Sequence, residues 1–240
     1  MTSTYVITGA SRGLGLEFVK QLSSKGNTVF ALARNPDASE GLQKLVDNKK
    51  VFAFKLDALD ESSIKNAVEE VTKASPEGID YLINNAGISG ERGYGISNSP
   101  GEEYTKVFNT NVVAVSNVTH AFLPLLRKRG QEKTKKILNI SSILGSVALI
   151  GEVNPGGSGS TYSVSKSALN MLTKLFANSL AKENIIVYAA HPGWVKTDMG
   201  GDSAPVEPKD SIAGMVKVLQ SVTAEQSGSL IDFEGKQLPW

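Results

Sequence analysis

The chain has no cysteine, which removes disulfides, a thiol nucleophile and thiolate metal sites from consideration. Histidine is scarce. His120 and His191 are too few for a typical zinc cluster, and no His-Glu-x-x-His stretch occurs, so both read as structural and no metal is expected. No apolar run approaches the ~18 residues a membrane span needs. The opening "MTSTYVITGAS" passes almost directly into an apolar run, leaving no room for a signal or transit peptide. Net charge is low, +1 at pH 7, which argues against nucleic acid as a main partner. With 40% hydrophobic and 20% charged residues over 240 positions, the expectation is a soluble, cytoplasmic protein with ample core and no membrane partner. The densest basic stretch, Arg127 to Lys136, reads as a solvated face beside a helix C-terminus, where cations complement the helix dipole.

What is present is alternation. Short runs rich in β-branched residues fall at 4–8, 28–33, 51–56, 79–84, 136–141, 185–190 and, more weakly, 229–232. Most are apolar throughout, as expected of strands covered on both faces. Between them lie stretches of helical period, such as the stripe Leu14, Phe18, Val19 and Leu22, ended by Gly26. Strand–helix alternation from end to end predicts a parallel sheet with right-handed crossovers. No linker or internal repeat divides the chain, so residues 1–240 read as one α/β domain: a doubly wound, mostly parallel, seven-stranded sheet with helices on both faces. Three Gly/Ser/Pro-rich stretches (88–101, 151–160 and 199–208) follow predicted strands, which places them at the carboxyl edge where such sheets bind ligands.

The first strand enters the first helix through "VITGASRGLG", with glycines at 9, 13 and 15. Glycine permits a tight turn and close backbone approach, and a helix N-terminus offers free N–H groups to a pyrophosphate. An acid that would hold a ribose 2′-OH is expected after the second strand; the sequence instead has Ala33 and Arg34, with Ser11 and Arg12 in the turn itself. Guanidiniums suit a 2′-phosphate, so NADP(H) is favoured over NAD(H).

Tyr162 and Lys166 stand four residues apart and so share a helix face. The same helix is expected to bury an apolar stripe of Val164, Ala168, Met171, Leu172 and Leu175, with Tyr162, Lys166 and Thr173 pointing the other way.

Taken together, "TGASRGLG" (8–15), "NNAG" (84–87), Asn111, "SS" (141–142), "YSVSK" (162–166) and "HPGWVKTDM" (191–199) occur in order on the expected elements. In this the chain resembles the short-chain dehydrogenase/reductase family over essentially its whole length. Its "IDFEGKQLPW" ending and the long loop before Tyr162 resemble the sniffer/C-factor-like carbonyl reductase branch. The resemblance implies a Rossmann fold and an NADPH-dependent reductase of a small ketone, aldehyde or quinone. Tyr162 would be the general acid. Lys166 would lower the phenol's pKa by roughly 1–3 units and bond the nicotinamide ribose. Ser142, rather than Ser141, would hold the substrate oxygen, and Asn111, rather than Asn109, a relay water. On the cofactor side it implies Gly9, Ser11, Arg12, Gly13, Leu14, Gly15 and Arg34. Asp57 and Ala58, with Asn85, Ala86 and Gly87, would meet the adenosine; Pro192, Gly193, Val195 and Thr197 would meet the carboxamide.

The interval between Ser142 and Tyr162 is longer than in many members, because "GEVNPGGSGS" (151–160) is inserted. Two alternatives stay open: a non-catalytic NADP(H)-binding regulator, and an NAD-dependent alcohol dehydrogenase. A homodimer or homotetramer is compatible with the apolar helices around Asn111 and Tyr162.

Overall fold

The computed structural model describes residues 2–240. Six parallel strands form most of the sheet: β1 (Thr4–Thr8), β2 (Thr28–Ala33), β3 (Val51–Lys55), β4 (Tyr81–Asn84), β5 (Lys135–Ile140) and β6 (Ile185–His191). A seventh parallel strand, β7 (Leu230–Asp232), follows, and a two-residue β8 (Gln237–Leu238) adds an antiparallel edge beyond the seven strands expected. The order is β3-β2-β1-β4-β5-β6-β7-β8, so the winding reverses between β1 and β4. That reversal opens the crevice at the carboxyl ends where ligands of such sheets bind.

Eight helices accompany the strands: α1 (Gly13–Ser24), short α2 (Glu40–Gln43), α3 (Glu61–Ala74), α4 (Gly101–Phe108), α5 (Ala114–Arg127), short α6 (Ile150–Val153), α7 (Ser160–Leu180) and α8 (Pro208–Ser221). Successive strand residues face opposite layers. Tyr5 and Ile7 therefore pack with Phe18, Leu22, Met215 and Leu219 of α1 and α8. Val6, between them, packs with Ile64, Phe122 and Phe176 of α3, α5 and α7. Among the described residues no helix is long and apolar enough to cross a membrane.

Two expectations fail here. In α7 the apolar stripe faces outward, with Val164, Met171 and Leu175 exposed at 47%, 62% and 58%. The buried face is mixed instead: Ser165, Lys166, Asn170 and Thr173 are buried alongside Leu169, Phe176, Ala177 and Leu180, and of the expected stripe Leu172 packs against the core. Asn139 on β5 donates to the Thr173 hydroxyl at 2.9 Å, so these groups are paired within the core. The basic stretch is not a uniformly solvated face either. Lys135 donates to the carbonyls of Gly130 and Glu183, and Lys136 to those of Leu219, Gln220 and Val222. Each ammonium thus satisfies carbonyls that a helix end leaves unpaired. Arg129 pairs with Asp80 at 3.0 Å.

Candidate active site

Helix α7 starts after Gly159, which turns at φ 57°. It carries Tyr162 and Lys166 to the carboxyl edge. The Lys166 ammonium is buried, donates to the Ile140 carbonyl at 2.7 Å and lies 5.4 Å from the Tyr162 ring centroid. A short turn, Ile143–Gly145, follows β5 and presents Ser142, whose hydroxyl accepts from the Leu144 N–H at 3.1 Å. The glycine three residues after Ser142 has a physical reason. A Cβ on Gly145 would stand 2.7 Å from the Lys166 carbonyl carbon, so only glycine lets this turn touch the helix backbone. Ser167 and Asn170 then donate to the Gly145 carbonyl at 2.9 and 3.1 Å. Ser141 points away from this edge, donating to Asn170 Oδ1.

Electrostatically, burial dominates. It pushes the Tyr162 phenol up to about 12, against the opposing pull of the Ser142 hydroxyl, and pulls the Lys166 ammonium down to about 7. The expected lowering of the phenol by its lysine is therefore reversed in the polypeptide by itself. Desolvation disfavours both charged forms, and a lysine half-neutral at pH 7 exerts little pull.

Asn111 sits buried in a π-helical turn, Asn109–Val113, that joins α4 to α5, while Asn109 is exposed. The Asn111 amide is committed locally: Oδ1 accepts from the Ile88 N–H at 2.9 Å, and Nδ2 donates to the Ile88 carbonyl and the Ser165 hydroxyl. It stands close to Gly87, where an added Cβ would lie 3.1 Å from Oδ1 and 3.8 Å from Lys166 Nζ.

The glycine turn meets the strand reversal. Gly9 turns at φ 66°, and an added Cβ would stand 2.9 Å from Ala86 Cα; on Gly15 it would stand 2.2 Å from the Gly9 carbonyl oxygen. Asn85 knits the two loops, donating to the carbonyls of Thr8 and Gly9, while Thr8 Oγ1 accepts from the N–H groups of Asn85 and Ala86. At Arg12, α1 has neither a side-chain cap nor an acid in its first turn. The N–H groups at Gly13, Leu14 and Gly15 are left to an external anion, a donor set that fits the pyrophosphate of a dinucleotide. Arg34, just past β2, is exposed and has no hydrogen-bond or ion-pair partner among the described residues. Ser11 accepts at its carbonyl from Ser39. Asp57 accepts at its carboxylate from the Leu59 N–H, and Ala58 beside it is partly buried.

Past β6, Pro192 accepts from Ser211, Gly193 packs on Phe233, and Val195 bridges Val206. Thr197 lies over the glycine turn, its Cγ2 3.7 Å from a Cβ built on Gly13. Sequence reading missed Asp198 beside it, which takes Arg12 in an ion pair at 2.8 Å and accepts at its carbonyl from Arg92. The three partners lie far apart in the chain, so no local spacing marked them.

The three glycine-rich stretches converge as expected. Gly95 bridges Ser158, with Ile96 N–H donating to Gly157 and Gly159 N–H to Tyr94. Met199 from the third stretch joins these two in lining a cavity of about 530 Å³.

A parallel sheet with a glycine turn at its reversal and a Tyr–Lys pair beside it defines the class: a dinucleotide-binding oxidoreductase fold. The chain belongs to the short chain dehydrogenase family, whose model matches residues 3–207. A curated relative, an uncharacterized oxidoreductase of Schizosaccharomyces pombe, is 34% identical, with 98% of this chain and 97% of the relative covered. The C-signal protein of Myxococcus xanthus is 35% identical over 68% of this chain and 93% of its own. Among solved structures, an NADPH-bound carbonyl reductase from chicken fatty liver superposes with a TM-score of 0.93 at 36% identity, covering 100% of this chain and 99% of the other. The carbonyl reductase Sniffer of Drosophila melanogaster also gives 0.93, at 31% identity with both chains covered in full.

Proposed function

We propose that this chain is an NADPH-dependent reductase of ketones, aldehydes or quinones, formed by a single domain over residues 1–240. The observation that carries the reading is the convergence of the Tyr162 phenol, the Ser142 hydroxyl and the Lys166 ammonium at the carboxyl edge after β5, in a sheet whose glycine turn leads into an uncapped helix N-terminus. The NADPH-bound chicken reductase supports the choice of cofactor, as does the unpaired Arg34, which would bind the 2′-phosphate.

Bound NADPH supplies a hydride at nicotinamide C4. The chain's own residues supply the proton and the positioning. Ser142 donates to the substrate oxygen as negative charge builds there, an oxyanion-type contact. Tyr162, with a pKa near 12, is protonated at neutral pH, and it transfers that proton to the forming alkoxide, a far stronger base. Lys166 lies behind the phenol and stabilises the phenolate left behind whenever its own proton is in place. Asn111 holds the chain after Gly87 in place, and its turn sets the wall behind Lys166.

Tyr162→Phe tests the assignment. Its kcat with NADPH and an activated carbonyl should fall by roughly 10²–10⁴-fold while NADPH still binds. Normal turnover in that variant would refute it. The exposed apolar residues of α7, Val164, Met171 and Leu175, with Phe108 and Val113 also exposed, support a homodimer; sedimentation at several concentrations reads this directly.

A further inference from the structure

Ser142 owes its place to the short turn Ile143–Gly145, and that turn has two sides. On one side lies α7, whose backbone the turn touches at Gly145. On the other lies the stretch that contains β8, three places from β5 in the sheet. Ala189 of β6, Leu230 of β7 and Leu238 of β8 stand in register across the three strands, all of them buried. Ile143, the residue after Ser142, packs against this row. Beyond Leu238 the next two carbonyls face the same loop. The Ser146 hydroxyl donates to the Pro239 carbonyl at 2.7 Å, and the Ala148 N–H to that of Trp240 at 2.9 Å. Ser146 is itself buried, and its oxygen also accepts from the Leu149 N–H at 3.2 Å.

Covering the free edge of β7 needs only the paired residues of β8. The carbonyls that follow pair instead with the loop that leaves Ser142. The hairpin that delivers them is firmly made, since the Asp232 carboxylate accepts from the N–H groups of Glu234 and Lys236 at 3.0 and 2.8 Å. The turn's own hydrogen bonds, Gly145 N–H to Ser142 and Ser146 N–H to Ile143, are internal to it and cannot hold it in place. Gripped from α7 alone, it could swing outward and carry the Ser142 hydroxyl along. A reacting group needs its position held within about 0.5 Å. Resting on the reductase reading above, we propose that the β8 segment is a backstop that presses the Ser142 turn against α7, with Leu238 and Ser146 as positioning residues for the Ser142 hydroxyl.

The test measures kcat and KM for NADPH-dependent reduction of a panel of activated carbonyl compounds by the full chain, well below its melting temperature. Variants are Ser146→Ala, Leu238→Ala, Leu238→Met and Ser142→Ala, the two alanine changes being repeated in the Ser142→Ala background. Ser142→Ala removes the hydroxyl and should lower kcat by roughly 10²–10³-fold. The backstop predicts that Ser146→Ala and Leu238→Ala each lower kcat about tenfold, the effect of a displacement short of 1 Å, with NADPH bound as before. Leu238→Met keeps the volume and should restore most of the rate. Neither alanine change should slow Ser142→Ala further, because a hydroxyl that is gone cannot be misplaced. If Leu238→Ala fails to fold, Ser146→Ala, which removes a single oxygen, reads the same effect. Were β8 only an edge cover, Leu238→Ala would lower Tm and leave kcat untouched. That result would overturn the backstop, as would full kcat in Ser146→Ala or an equal loss in both backgrounds. Full turnover by Ser142→Ala would overturn it too, leaving NADPH-dependent reduction through Tyr162 in place. An unmodified chain that oxidises no NADPH with any of the panel would overturn both.

Discussion

Replacing Gly145 by alanine probes how closely Ser142 must be held to the tyrosine. The added Cβ would lie 2.7–2.9 Å from the Lys166 backbone carbon, its Cβ and its carbonyl oxygen. Ordinary carbon contacts need roughly 3.5–4.0 Å, so the turn must retreat by about 1 Å. Two of the three clashing atoms are backbone inside a 21-residue helix, and the cheaper movement is that of the short Ile143–Gly145 turn. Retreat would stretch the Ser167 and Asn170 hydrogen bonds to the Gly145 carbonyl and carry Ser142 with it. Overpacking of this kind costs about 1–3 kcal/mol of stability, and a 1 Å misplacement of a reacting group costs on the order of 10²-fold in rate. The assay is steady-state NADPH oxidation with an activated carbonyl compound, paired with thermal melting and an NADPH titration. The expected result is a kcat reduced about a hundredfold, a lower Tm and a nearly unchanged Kd. Full activity at an unchanged Tm would show that the contact between turn and helix does not position Ser142.

Three further outcomes follow from the geometry. Lys136→Ala removes an ammonium that donates to three carbonyls at the end of α8; unfolding in urea should show a loss of about 2–4 kcal/mol. Lys166, pulled down to about 7 by burial, holds its proton below that pH and loses it above. The kcat/KM for reduction should therefore fall as pH rises through about 7, and the limb should vanish in Lys166→Met, whose residual rate stays flat there. Arg34→Asp places a carboxylate where the 2′-phosphate would sit. Direct titration should find NADPH weakened and NADH relatively favoured, and an unchanged preference would refute the electrostatic basis of the cofactor assignment.

The strands were legible because a sheet covered on both faces writes its strands as continuous apolar runs; β1 and β2 end where those runs end. Two residues, Gln237 and Leu238, carry no period, and the edge strand they form was invisible. Helix α7 was misread for a physical reason. The stripe rule assumes that a buried face is apolar, yet this helix packs against a site and a hydrogen-bonded core, so Ser165, Asn170 and Thr173 are inside and Met171 is outside. The lysines of β5 were misread because their partners, Leu219 and Glu183 among them, lie far along the chain. In the site, the motif spacing pointed to Tyr162, Lys166, Ser142 and the glycines, since each stands in a short stretch. Composition and spacing did not reveal that burial would outweigh the lysine at the phenol, because desolvation depends on what the fold stacks above a residue.

Lys135 and Lys136 are neighbours on one strand, yet each is anchored in a different helical layer. Sliding β5 along its neighbours by a single position would exchange their sides, stranding two ammonium groups in the wrong layers. Apolar strands slip easily because one valine fits much like the next. Here a pair of cations makes the central strand addressable, so the alignment of Ser142 with Tyr162 is guarded from the far end of the sheet.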